Sequence, residues 1–390
     1  MKLERYKDFD WILIGAVFLL SFFGIIMVYS ASYPLGIDLA DDPAYFFKRQ
    51  LVWFIVGALL FLVVMHFPYR MYRKLTPFII TASIIMLVLV LLVGLEINGA
   101  QRWLGVGGFR IQPSEFVKLG IVIYLAQVYS QKQQYINLFI KGVIPPLVVV
   151  VFIFTLIMLQ PDLGTATAIL LVTVIIVFLS GARFRHLAVL GGLSAVVVAW
   201  LAFQAPYRVQ RLVAFRDPFE FASDAGGYQL VQSYIAIAHG GITGTGLGQS
   251  VQKLHYLPEP HTDFILAVIA EELGMLGVGF LLICLLVIAV RGLMIGIRCK
   301  NTFGTLLALG IIFQMMSQAI FNGGAVTGLL PITGITLPFI SYGGSSLLVS
   351  LVAAGILANI SRENSKEKRL AEQEPAHYSK KPHQAKAHHL

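Results

Sequence analysis

Ten apolar runs, most of them long enough to cross a lipid bilayer, dominate the sequence and restrict the chain to a bundle of membrane-spanning helices. They fall near 11–30, 50–66, 76–94, 114–130, 142–159, 164–181, 187–204, 264–290, 304–321 and 338–359. The 390-residue chain is 57% hydrophobic and 13% charged, which excludes an ordinary soluble domain. The first run, from Trp11 to Ser30, is long enough to span and lacks a small-residue cleavage site, so no removable signal peptide is expected. Cys284 and Cys299 lie in or just beyond one span and imply neither a disulfide framework nor a metal cluster. The net charge of +9 points to membrane orientation rather than to nucleic acid.

Loop charges orient the chain. Lys2, Arg5 and Lys7, then Arg70, Arg73 and Lys74, Lys132 and Lys141, Arg183 and Arg185, and Arg291, Arg298 and Lys300 fall on one side, the cytoplasmic one. An even number of spans returns the tail to that side. From Ser361 onward the tail lacks an apolar face, and residues 361–390 read as a disordered basic segment beyond a membrane domain over 1–360. The longest loop, about 205–262, falls outside between the seventh and eighth spans, a length that tends to carry function. Its GYQLVQSYIAIAHGG segment reads as an interfacial helix.

This loop delivers the chain to Leu257–Gly274, a polar, proline-broken approach that runs into an apolar helix bearing Glu271 and Glu272. On an ideal helix Glu271 lies about 12 Å along the axis from Asp263. It is turned from Asp263 by roughly 80°, and Glu272 faces nearly the opposite way. Ionisable groups in a span are candidates for function. Two readings stay open: Asp263 is either a helix cap or a reactive acid, and the glutamates either pair with neighbouring helices or serve a path.

On the outer face Arg102, Arg110, Arg208, Arg211, Arg216 and Lys253 are unexpected. Long loops can carry solvated charge, but such clustering also suits an anionic ligand such as a pyrophosphate. The fourth span opens Gln112-Pro113-Ser114-Glu115-Phe116-Val117-Lys118, a good helix start that also sets Glu115 and Lys118 on one face. Other motifs carry less. GTGLGQS has no preceding strand and is weak as a phosphate loop. The Ser341–Ser346 run reads as small-residue packing, Asp162 as the cap of the sixth span, and His239 and His261 as loop hydrogen-bonders. No metal-ligand spacing stands out.

Four stretches together, NGAQRWLGVGGFRIQPSEFVKL (98–119), QPDLGTA (160–166), GYQLVQSYIAIAHGGITGTGLGQSVQKLHYLPEPHTDFILAVIAEELG (227–274) and LPITGITLPFISYGGSS (330–346), resemble the SEDS family, the FtsW/RodA/SpoVE group. The resemblance covers the chain except its tail, and GLGQSVQKLHYLPEPHTDF is closest to the FtsW-like division or sporulation branch. It implies an all-α bacterial membrane protein of about ten transmembrane helices. It also implies a peptidoglycan glycosyltransferase that polymerises lipid II on the outer face of the cytoplasmic membrane with a class B penicillin-binding protein and other division or elongation proteins. The aspartate of the family's HTDF motif, regarded as catalytic, is Asp263 here, and its acid and base in QPSE-x-x-K are Glu115 and Lys118.

The chemistry expected is a single displacement with inversion. Asp263 acts as general base on an acceptor hydroxyl, and the basic loops, Arg102, Arg208, Arg211, Arg216 and Lys253, hold the substrate. A divalent cation, Mg²⁺ or Mn²⁺, is an optional aid in neutralising the pyrophosphate. A lipid-precursor transporter and a division scaffold are the competing readings. The resemblance implies that the partner's helix docks near the eighth and ninth spans, where Gly274, Gly277 and Gly279 and then Gly304 and Gly310 either allow its close approach or pack the bundle internally.

Overall fold

The computed structural model describes residues 8–97, 99–106, 109–204, 206–223 and 225–373. Its helices are α1 (Trp11–Ala40), α2 (Tyr45–His66), α3 (Tyr72–Val93), α4 (Pro113–Gln131), α5 (Ile144–Leu159), α6 (Leu163–Leu179), α7 (Phe184–Phe203), α8 (Pro206–Arg216), α9 (Ala225–Gly240), α10 (Ile265–Arg298), α11 (Thr302–Val326) and α12 (Gly344–Gln373). Each expected span coincides with one of α1–α7 or α10–α12. Eight helices among the described residues are long and apolar enough to cross a membrane, and α6 is shorter but apolar. Outward-facing Phe78, Leu92, Phe184, Val196 and Trp200 supply the greasy perimeter. The protein is a multi-pass membrane protein.

Without water in the bilayer core, polar side chains must find partners within the helices. Ser21, Ser83 and Thr173 each donate to the carbonyl four residues back. The expected cap at Asp162 is present, its carboxylate accepting from Thr165 N at 3.1 Å.

Three features depart from the sequence expectation. The outer connection expected as a loop over Asn98 to Gln112 is instead, with the residues before it, an antiparallel meander of β1 (Leu95–Ile97), β2 (Ala100–Val106) and β3 (Phe109–Ile111). Second, α12 continues to Gln373, so 361–373 is helix rather than disordered tail. Good helix formers fill this stretch, and Arg369 reaches Asp8 at 3.2 Å while Asn364 donates to Ile295 O at 3.0 Å. Residues 374–390, the rest of the expected tail, lie outside the described residues.

Third, α10 is broken at Gly274, whose φ of 61° and ψ of −159° interrupt the helix. A break strands backbone groups that lipid cannot satisfy. The glycine-rich loop after α9 supplies the partners: Thr245 N and Gly246 N donate to the carbonyls of Glu271 and Glu272, each at 2.9 Å. In return Met275 N donates to Gly241 O at 3.0 Å and Leu276 N to Ile242 O at 3.2 Å. The fit demands glycine, because a Cβ at 274 would sit 2.4 Å from Gly244 N and one at 244 would sit 2.2 Å from Glu272 O. GTGLGQS is therefore the plug of a broken helix.

The expected small-residue docking face is largely internal. A Cβ at Gly304 would meet Cys299 and Tyr69, one at Gly310 would meet Val122 and Ile176, and one at Gly277 would meet Leu273 of its own helix. Only Gly279 of that set faces open space, beside exposed Met275, Leu276, Leu282 and Ile283.

Candidate active site

The two glutamates hold the long loop in place. Glu271, fully buried, accepts from Val251 N at 3.0 Å and from the Ser250 hydroxyl, and meets His239 Nδ1 at 3.0 Å. Glu272, also fully buried, accepts from Lys253 Nζ at 2.5 Å and from the Ser30 hydroxyl at 2.6 Å. One carboxylate thus anchors the loop to α9 and the other to α1. Structural pairing is the reading the geometry favours for both.

The chain then turns over Leu257–Asp263 and enters α10. Three successive carbonyls at this turn are each held by a donor from the last third of the chain. Tyr342 N donates to His261 O at 2.8 Å, Ser341 Oγ to Thr262 O at 2.7 Å, and Asn322 Nδ2 to Asp263 O at 2.7 Å. The cap position of α10 is Phe264, with no side-chain cap bond, so Asp263 is not a cap. Ser341 Oγ also accepts from Leu337 N at 2.8 Å, which makes it a tie rather than a nucleophile.

Asp263 lines a cavity of about 1450 Å³ walled by α1, α2, the meander, the α6 start, α7, α8 and the 330–346 segment. Burial, and then the nearby Glu259 charge, push its carboxyl up to about 6, against the opposing pull of Arg211 and Arg102. Desolvation dominates because it acts on the ion itself, while the guanidinium charges act through a wet cavity. His261 is buried between Phe46 and Tyr342, with ring centroids 4.5 and 5.3 Å away, and burial lowers it to about 4, so it is neutral near pH 7.

Five arginines line the same cavity, Arg49, Arg102, Arg110, Arg208 and Arg211, against three acids, Asp162, Glu259 and Asp263. Arg102 is braced on the turn before α6, donating to Gln160 O at 3.1 Å and to Pro161 O, with Asp162 4.0 Å away. Arg49 stacks over Tyr45 at 4.5 Å. Such a basic, partly dry recess suits a polyanion. Among the described residues no three His, Cys, Asp or Glu side chains assemble as a metal-ligand cluster.

Residues 10–366 match the family described as cell cycle protein, FtsW/RodA/SpoVE. The chain belongs to the FtsW/RodA/SpoVE family. It is 43% identical over 385 residues to the probable peptidoglycan glycosyltransferase FtsW of Bacillus subtilis, covering 94% of this chain and 95% of that one. It is likewise 43% identical over 357 residues to stage V sporulation protein E of Bacillus subtilis, covering 90% of this chain and 97% of the relative. A solved peptidoglycan synthase complex that coordinates polymerization and crosslinking contains a chain with TM-score 0.75 and 31% identity, over 91% of this chain and 98% of that one. RodA of Thermus thermophilus matches at TM-score 0.67 and 28% identity, over 91% and 97%.

Within this FtsW/RodA/SpoVE fold the expected site residues separate. Asp263, Arg102, Arg208 and Arg211 share the cavity. Glu115 and Lys118 form a buried ion pair at 2.8 Å in the first turns of α4 and are not in the cavity wall. Arg216 is exposed at the end of α8, also off the wall. Lys253 is committed to Glu272, with the Tyr33 ring 4.8 Å from its ammonium. Arg49 was missed because it stands just before the second apolar run with no motif around it, and its role is invisible until α2 meets the 342–346 turn. Arg110 was visible as an outer cation, and the flanking Asn98-Gly99 and Gly107-Gly108 pairs were the available hairpin signal.

Proposed function

We propose that this protein polymerises lipid II into glycan strands, with Asp263 as general base. The observation that carries the reading is the Asp263 carboxylate, on a turn fixed by three backbone ties and set in an arginine-rich recess. The acceptor hydroxyl passes its proton to Asp263, and its oxygen bonds to the donor's anomeric carbon. The bond from that carbon to the pyrophosphate oxygen breaks, and the lipid pyrophosphate leaves with its charge held by arginines. A base so placed contributes about 10²–10⁴-fold. One displacement inverts the anomeric centre. A retaining route needs a second carboxylate about 5 Å away, and Glu271 is occupied by the loop it anchors.

The membrane body (residues 1–360) with both termini cytoplasmic and the cavity outside is the topology we infer from the loop charges. A class B penicillin-binding protein is the partner that would crosslink the strands, and the solved synthase complex supports this coupling. A role in division follows the FtsW relative. The transporter reading is weakened because Glu115, Lys118, Glu271 and Glu272 are each locked in pairs rather than strung along a path. Labelled lipid II in proteoliposomes separates the two. Glycan oligomers support the polymerase, while lipid II that only changes leaflet overturns it.

A further inference from the structure

Asn322 stands near the C-terminal end of α11, is 2% exposed and does not line the cavity. Its amide nitrogen nonetheless joins two segments that flank Asp263. Nδ2 donates one proton to Asp263 O at 2.7 Å and the other to Ile335 O at 2.9 Å. A neutral side chain can bridge two carbonyls from one atom only through a primary amide, whose nitrogen carries two donors. Facing two acceptors, the amide has a single orientation. Its Oδ1 is buried with no partner among the described residues, so the cost of burying that oxygen is carried for these two bonds. The segment tied in this way also forms the wall facing the carboxylate. A Cβ built at Gly334, next to Ile335, would lie 3.4 Å from Asp263 Oδ2. Gly334 has a φ of 71°, which glycine adopts readily, so the backbone can run this close. On its other side Thr333 O abuts the start of α6, where a Cβ at Gly164 would lie 2.6 Å from it. The 333–335 stretch therefore fills the space between α6 and Asp263, and Asn322 sets where it stands.

Resting on the polymerase reading above, we propose that Asn322 is a positioning residue, holding the Asp263 backbone and the Gly334 wall in one frame so that the carboxylate is aimed at the acceptor hydroxyl. Asn322 touches no substrate and acts through Asp263. A general base must stand within hydrogen-bond reach of the proton it takes, and a misplacement of about 1 Å caused by a remote change can cost about 10²-fold. Without the amide, Asp263 O and Ile335 O lose their common donor, and the wall and the carboxylate no longer keep a fixed separation. Tyr342 N and Ser341 Oγ still hold His261 O and Thr262 O, so the turn itself stays in place. The cavity keeps its arginines and the charge of Asp263. Binding is therefore spared, and the chemical step is not.

The test uses the full chain in proteoliposomes with labelled lipid II. Wild type should make glycan and Asp263→Asn none; any other result overturns the polymerase reading itself, before Asn322 is considered. Asn322→Ala removes both donors, and Asn322→Gln keeps them but sets them one methylene out of place. Titration with lipid II, followed by tryptophan fluorescence, gives the dissociation constant and the number of binding-competent molecules, by which kcat is divided. Each variant is expected to bind lipid II with unchanged affinity and to lose about tenfold or more in kcat. Where one variant fails to fold, the other decides. A wild-type kcat per binding-competent molecule in either variant overturns the proposal, because the side chain then only helps the chain fold. A loss of affinity that matches the loss of kcat also overturns it, because it places Asn322 among the substrate contacts. If neither variant yields binding-competent protein, Asn322 serves folding and the proposal falls.

Discussion

Replacing Lys253 by Met tests whether the loop bearing Asp263 is held by a buried charge pair. Both side chains of the Lys253–Glu272 pair are 0% exposed and 2.5 Å apart. Removing the ammonium leaves Glu272 with the Ser30 hydroxyl as its remaining close donor, at 2.6 Å. An uncompensated buried charge costs about 3–5 kcal/mol, a large share of the roughly 5–15 kcal/mol that holds a typical fold. That corresponds to a fall in Tm of roughly 4–6 °C for a 390-residue chain. Replacing both partners, Lys253→Met with Glu272→Met, removes the stranded charge and should recover most of the loss, because apolar substitutes for a buried pair are often neutral. Unfolding followed by tryptophan fluorescence in detergent, with polymerisation measured alongside, reads all three variants. A double variant that loses the sum of the two single losses would refute the pair as a unit. A stable double variant that cannot polymerise would return Lys253 to the substrate contacts.

Further outcomes follow from the same geometry. Asp263, pushed up to about 6, must be ionised to act, so kcat/KM should climb as pH rises through about 6 and level off above it. Its folded value lies above the ordinary aspartate value of 3.8, so the folded state holds the proton more tightly and stability falls as pH rises between the two. Asp263→Asn should then raise Tm at pH 7.5, by no more than about 3 kcal/mol of stability, and match wild type near pH 3.5. Glu115→Gln and Lys118→Met should each lower Tm by stranding the other member of a buried pair, while the charge swap restores it. Gly310→Leu should destabilise the isolated protein, since its site is closed by Val122 and Ile176, whereas Gly279→Leu should leave Tm unchanged and weaken co-purification with a crosslinking partner.

The ten apolar runs made the helices legible, because span length and backbone satisfaction leave few alternatives in lipid. Asp263 was legible as a polar residue at a helix mouth, and Asp162 as a cap. What stayed hidden depends on contacts far apart in sequence. Glu272 finds its partners at Ser30 and Lys253, and the break at Gly274 is stable only because residues 241–246 cover it. No helical periodicity encodes that pairing. Arg49, just before the second apolar run, carried no sequence signal, yet near the start of α2 it reaches the cavity. The tail misled because its polar composition suits both a solvated coil and a helix, and Asp8 and Ile295 O decide for helix.

The account stands most directly on Asp263. Purified wild type and Asp263→Asn, each reconstituted with a crosslinking partner and supplied with labelled lipid II, should be compared by the glycan ladder they produce. The replacement keeps the side chain's shape and removes its charge and its ability to take a proton. The account predicts a full ladder from wild type and none from Asp263→Asn, with both proteins equally inserted and folded. A near-normal ladder from Asp263→Asn would contradict it.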